Sequence, residues 1–208
     1  MISTEDEARA FSADLCDAAA MVRLEQFIGL LEAENRQQNL ISTASLTSVW
    51  QRHIADSLQL LTHVPRETDP WIDLGSGAGM PGLVLAIARP EVTFHLVESR
   101  KKRVVWLEGV AQHFNLSNCH VHGSRLESVE TAPMGVICAR AFAPLQKLLM
   151  LSARFSTPQT TWLLPKGRSA AQELSEQPES IRAMFHVEQS RTDPEAGIVI
   201  GQGRPALR

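Results

Sequence analysis

The stretch Trp71-Ile72-Asp73-Leu74-Gly75-Ser76-Gly77-Ala78-Gly79-Met80-Pro81-Gly82 constrains this chain more than any other. Four β-prone residues run into three alternating glycines and then into an apolar segment, residues 82–88, of helical character. Glycine has no Cβ, so the backbone there can turn sharply and approach a ligand closely. A strand, a glycine turn and a helix in that order open a parallel β-α-β unit.

The rest of the chain repeats the alternation. Strands are expected at residues 71–74, 93–98, 120–122, 135–139, 161–165, 185–189 and 197–200, and helices at 82–88, 101–114, 145–153 and 170–176. Strands separated by helices need crossover connections, which predicts an α/β, Rossmann-like fold with a mostly parallel seven-stranded sheet and helices on both faces. Upstream the pattern changes. Leu24, Phe27, Ile28 and Leu31, and then Val49, Trp50, His53, Ile54, Ser57, Leu58 and Leu61, recur at helical spacing, with a polar connection at 39–48 between them. Residues 1–65 are therefore expected to form an N-terminal helical appendage, and 66–208 the ligand-binding domain.

Glycines alone leave the ligand open, because Gly77-x-Gly79-x-x-Gly82 also satisfies the dinucleotide fingerprint. Asp73, two residues before Gly75, favours a ligand with a cationic end, such as the amino group of S-adenosylmethionine, over a pyrophosphate. Glu98, 23 residues after Gly75, is an acceptor for ribose hydroxyls and suits either cofactor. A nicotinamide-dependent dehydrogenase thus stays as an alternative to a methyltransferase.

The acceptor is read by elimination. Residues 137–144, Ile-Cys-Ala-Arg-Ala-Phe-Ala-Pro, lack the Asp/Asn-Pro-Pro-aromatic loop used on exocyclic amines, and the chain has no tyrosine. Cys138 falls within an expected strand, which suits a core thiol better than a nucleophile. No Asp and Asn cluster suggests a metal, and His120 and His122 read as surface or half-buried side chains. Nitrogen-7 of guanine fits what remains, since its lone pair carries no proton to remove and positioning plus electrostatics suffice. Arg140, at the end of a strand beside the cofactor loop, is placed to read the guanine edge or to touch the cofactor. A small-molecule methyltransferase and a non-catalytic RNA-binding module are the other readings.

The formal charge is −3, but residues 131–172 hold five bases, Arg140, Lys147, Arg154, Lys166 and Arg168, and no acid. That segment and the run Arg100-Lys101-Lys102-Arg103 are the expected basic surfaces. No apolar run reaches the ~20 residues that span a bilayer, and residues 1–9 carry three acids and no signal-like apolar core. Cys16, Cys119 and Cys138 form no Cys-x-x-Cys pair, so a cytoplasmic location with reduced thiols is expected.

Taken together, Asn39-Leu40, Arg52-His53-Ile54-x-Asp56-Ser57-Leu58, the glycine loop, Arg89-Pro90, Glu98-Ser99-x-x-Lys102-Arg103, Ser124-Arg125-Leu126-Glu127, Ala139-Arg140-Ala141-Phe142-Ala143 and Lys166-Gly167 carry a resemblance. In this order the residues resemble the glucose-inhibited division protein B family, the small-subunit ribosomal RNA methyltransferases G. The resemblance implies a class I S-adenosylmethionine-dependent methyltransferase that makes 7-methylguanosine at guanosine 527, in the 530 loop of 16S rRNA, acting as a monomer on the 30S subunit or an assembly intermediate. By position it implies that Asp73, Gly75, Gly77 and Met80 belong to the cofactor loop, that Glu98 holds the ribose, that Leu126 and Glu127 flank the adenine, and that Arg140 closes the site and is catalytic. Arg100, Lys101, Arg103, Lys166 and Arg168 are the expected RNA contacts, Lys166 because a Lys-Gly turn should leave its charge exposed; no metal and no membrane are expected.

Overall fold

The computed structural model describes residues 1–206. Its strands are β1 (Trp71–Leu74), β2 (Phe94–Val97), β3 (Cys119–His122), β4 (Val136–Cys138), β5 (Thr161–Pro165), β6 (Phe185–Gln189) and β7 (Gly197–Gln202). They form one sheet in the order β3-β2-β1-β4-β5-β7-β6, parallel except for β7, which runs antiparallel to both neighbours. The seven-stranded, mostly parallel sheet expected from the alternation is present.

Side chains of β1 alternate between the two faces. Trp71 packs with Phe94, Leu96, Val136 and Leu163 under α2 (Ala18–Gln38), α5 (Gly82–Ala88) and α6 (Lys101–His113). Ile72 and Leu74 pack on the other face with Ile137, Trp162, Leu164 and Val199, under α7 (Leu145–Ser152) and α8 (Ala170–Ser175). Every residue of α5 is buried, as its apolar sequence GLVLAIA demands. The N-terminal helices lie over it: α2 and the turn α4 (Asp56–Leu58) both contact α5.

The N-terminal helices are closed by their own side chains. Helix α1 (Glu5–Leu15) begins with a capping box between Thr4 and Glu7, and α2 with Asp17 accepting from the Ala20 N–H at 2.6 Å. Asn39 ends α2 in the left-handed region, φ +40°, which Asn tolerates. Glu5 then reaches across, its carboxylate accepting from the Trp50 and Gln51 N–H groups at 2.9 and 2.8 Å.

Several expectations change. The polar connection contains a short helix, α3 (Thr43–Leu46), and a further one, α9 (Glu179–Arg182), follows α8. The expected helix across 49–61 is not uniform: Trp50–Ala55 is a π-helix, followed by α4 and by a 3₁₀ segment, Gln59–His63. The last strand runs past its expected end at residue 200: β7 continues to Gln202, and the Gly203 carbonyl accepts from Trp162 Nε1 at 2.8 Å; Leu207 and Arg208 lie outside the described residues. Among the described residues no helix is long and apolar enough to cross a membrane.

Candidate active site

The glycine loop, the end of β2 and the segment after β3 enclose a cavity of about 390 Å³, a size suited to a nucleoside cofactor. Gly75, Glu98, Leu126 and Glu127 line it, with Arg103 and Phe142. At Gly75 φ is +72°, and a Cβ there would stand 2.7 Å from Phe142 Cδ2, so both backbone conformation and space exclude a side chain. Glu98, 6% exposed, accepts from three backbone N–H groups: Gly77 at 3.1 Å, Ser99 at 2.7 Å and Arg100 at 2.8 Å. A carboxylate has about four lone-pair sites, so it shapes the loop and keeps acceptor capacity toward the cavity.

Asp73 is placed differently from its expected position beside the ligand. It lies beneath the loop, 1% exposed, with Oδ2 accepting from the Gly82 N–H at 3.0 Å and Oδ1 buried without a partner. Burial is the main cause that raises its pKa to about 6, against the hydrogen bonds from Ser76 and Gly82. Met80, 3% exposed, keeps its place in the loop with its side chain packed into the core. The Gly77 N–H is spent on Glu98, and Arg103 Nη1 lies 3.1 Å from where a Gly77 Cβ would be. These residues fit S-adenosylmethionine: a buried carboxylate for the ribose, and an unpartnered carboxylate oxygen under the loop that favours a cation above it.

A second, larger cleft of about 730 Å³ opens on the other side of residues 141–143, which line both cavities. Arg140 lines this cleft and does not line the cofactor cavity, contrary to its expected contact with the cofactor. Its guanidinium crosses to the π-helix and is held there: Nη1 donates to the Arg52 carbonyl at 3.1 Å and to Asp56 Oδ2 at 3.3 Å, and Nη2 meets His53 Nδ1 at 3.1 Å. Asp56 Oδ1 in turn accepts from Thr192 Oγ1 at 2.7 Å and Gln59 Nε2 at 2.8 Å. A guanidinium has only donors, so His53 Nδ1 is the acceptor and its proton sits on Nε2. Burial first, and then the charges of Arg140 and Arg52, lower the His53 pKa to about 3, keeping the ring neutral.

The basic surface expected over 131–172 is largely consumed inside the fold. Lys166 is corrected from exposed to buried: its side chain is 7% exposed, and its ammonium donates to the Ala143 carbonyl at 2.5 Å and pairs with Glu173 at 3.0 Å. Arg154 is spent on the Leu126 and Val129 carbonyls and Thr131, and Arg168 pairs with Glu195. The cationic rim lies instead around the cofactor cavity, where Arg100, Arg103, Arg125 and Lys147 line the wall and Lys101 is exposed beside them. Phe142 and the His53 to Arg140 link were missed from sequence. Phe142 lies four residues beyond the end of β4, in the segment where a base-binding loop would stand, and an aromatic there was its signal.

Residues 20–195 match the family model described as rRNA small subunit methyltransferase G. A ribosomal RNA small subunit methyltransferase G of Erythrobacter litoralis is 60% identical over 204 residues, 98% of this chain and 99% of that protein. One from Novosphingobium aromaticivorans is 52% identical, over 96% and 88% of the two chains. Among solved structures, a TehB-like S-adenosylmethionine-dependent methyltransferase from Corynebacterium glutamicum superposes with TM-score 0.56 at 12% identity, over 84% of this chain and 98% of that one. An S-adenosylmethionine complex of an MtNAS variant gives TM-score 0.56 at 14% identity, over 96% and 89%. At such identities the structures speak for the fold, and the close relatives speak for more: the chain belongs to the rRNA small subunit methyltransferase G family, whose members are S-adenosylmethionine-dependent methyltransferases.

Proposed function

We propose that the chain methylates nitrogen-7 of one guanosine, guanosine 527, in the 530 loop of 16S rRNA, acting as a cytoplasmic monomer on the 30S subunit or an assembly intermediate. The observation that carries this reading is the chemistry of the larger cleft. Its imidazole is neutral with the proton on the far nitrogen, and its inner carboxylates, Asp56 and Glu173, are each held by a cation. Asp193 also lines the cleft, its Oδ1 accepting from the Glu195 N–H at 2.9 Å; a cleft whose imidazole and inner carboxylates are engaged in this way suits an acceptor atom with no proton to lose.

S-adenosylmethionine supplies a methyl group on a positively charged sulfur. Glu98 would hold the ribose hydroxyls, while Leu126 and Glu127 would flank the adenine. Arg140, Asp56 and His53 hold the walls of the acceptor side in one geometry, and Phe142 separates the two ligands at the point where they meet. The chain's contribution is then alignment of acceptor and methyl group. Arg100, Lys101, Arg103, Arg125 and Lys147 form the rim that would meet RNA phosphates.

The test is methyl transfer from radiolabelled S-adenosylmethionine to 30S subunits of a strain lacking the gene, followed by mapping of the modified nucleotide. Label at that one guanosine, removed by Glu98→Ala and by Arg140→Ala, is the expected result. Intact cofactor binding without label on subunits would point to a small-molecule acceptor instead.

A further inference from the structure

Resting on that reading, we infer that His53 is the residue that selects guanine: its Nε2–H donates to the O6 carbonyl of the target base while N7 is left free for the methyl group. Arg140 is held against the π-helix, with three of its five N–H donors going to the Arg52 carbonyl, Asp56 and His53. The same contact determines what His53 offers. With Nδ1 accepting from Arg140, the single proton of the neutral ring is on Nε2, and Nε2 is buried with no partner.

A buried donor without an acceptor is costly, and folded proteins rarely leave one unless something else gains by it. Here His53 is 7% exposed, lines the acceptor cleft and sits in a π-helix, Trp50–Ala55, a wide-turn geometry that recurs at functional sites. The ligand that completes His53 must therefore bring an acceptor. Guanine presents O6 next to N7 on one edge, whereas adenine presents an amino group there. Adenine in this cleft would oppose donor to donor and leave both unpaired, the arrangement that discriminates most strongly between otherwise similar ligands. Because N7 becomes positively charged as it is methylated, the bond to O6 is strongest before transfer. His53 therefore acts in seating the base rather than in lowering the chemical barrier.

Two substitutions separate this role from packing. In His53→Asn the side-chain oxygen can take over the acceptor position of Nδ1 toward Arg140, but nothing reaches the place of Nε2. In His53→Gln the amide N–H reaches that place. S-adenosylmethionine affinity is measured by calorimetry, and methyl transfer is measured on 30S subunits lacking the modification. His53→Asn is expected to bind the cofactor within about twofold of the parent while kcat/KM for subunits falls roughly tenfold, the worth of one good hydrogen bond. His53→Gln is expected to recover most of that loss, and the pH profiles of parent and His53→Asn should run parallel across about pH 6 to 9.

Equal activity of His53→Asn and parent would overturn the assignment, as would equal impairment of the Asn and Gln variants, which would make the ring a packing element only. Lost cofactor affinity in His53→Asn would give the donor to the methionine carboxylate instead. A limb near pH 6–7 that disappears with the ring would make His53 a base and equally sink the proposal. If the parent itself leaves no 7-methylguanosine on subunits, the proposed function fails and the role of His53 is not what failed.

Discussion

At the scale of single residues, the cofactor loop depends on what is missing from Gly75 and on what Glu98 supplies. Gly75→Ala forces a side chain into φ +72° and against the Phe142 ring. The left-handed backbone alone costs about 1–2 kcal/mol, so calorimetry should find cofactor affinity reduced and the melting temperature lowered. Adding Phe142→Ala removes the clash but not the backbone strain, and the double variant should recover only part of the loss. Glu98→Gln swaps an acceptor for a donor opposite the Gly77, Ser99 and Arg100 N–H groups. Binding of S-adenosylmethionine should fall by tenfold or more, about what a charge-assisted hydrogen bond to a ligand is worth. Glu98 and the glycines were legible in sequence because their roles depend on backbone geometry and spacing. Asp73, Met80 and Lys166 were not, because spacing does not say on which side of a turn a side chain falls; that depends on the packing of α5 and α8 beneath it.

At the scale of elements, the N-terminal helices are tied to the catalytic side by a few polar links rather than by apolar area alone. Glu5 caps the two leading N–H groups of the π-helix that carries Arg52 and His53 and runs on into Asp56 at the start of α4. Glu5→Ala leaves both donors unpaired and should cost about 1–2 kcal/mol, as the loss of a cap does, read as a lower urea midpoint. Because the same helix positions the Arg140 partners, transfer to subunits should weaken while cofactor binding holds. The period of 49–61 predicted a helix and could not predict its wide turn, since π and α geometries share nearly the same apolar spacing over one or two turns. The strands were more readable: parallel strands buried on both faces show as short apolar runs between turn residues, and only their ends moved by a residue or two.

At the scale of the whole molecule, burial of neutral histidines makes stability depend on pH. His53, His63, His95 and His122 all have lowered pKa values, chiefly through burial, with His53 at about 3. Each binds its proton more readily when unfolded, so the stability it confers is complete above pH 6.5 and declines as the pH falls below that value, for His53 down to about 3. Asp73 opposes this, since its pKa is raised to about 6: its contribution is full below pH 3.8 and lost as pH rises through 6. Four groups outweigh one, and denaturant midpoints should be lower at about pH 5 than at about pH 7. The charge distribution has its own test. Arg125→Ala, on the rim, should reduce the salt slope of subunit binding by about one, and Arg168→Ala, already paired with Glu195, should change it little. The two cavities finally share residues 141–143 as a common partition, with Ala141 at φ +54°. A ligand that shifts this partition from one side alters the room on the other, which makes occupancy of the two cavities a matter of reciprocity. Whatever factor the cofactor imposes on affinity for the subunit, the subunit must impose on affinity for the cofactor. A compound that wedges the partition would then change both affinities at once.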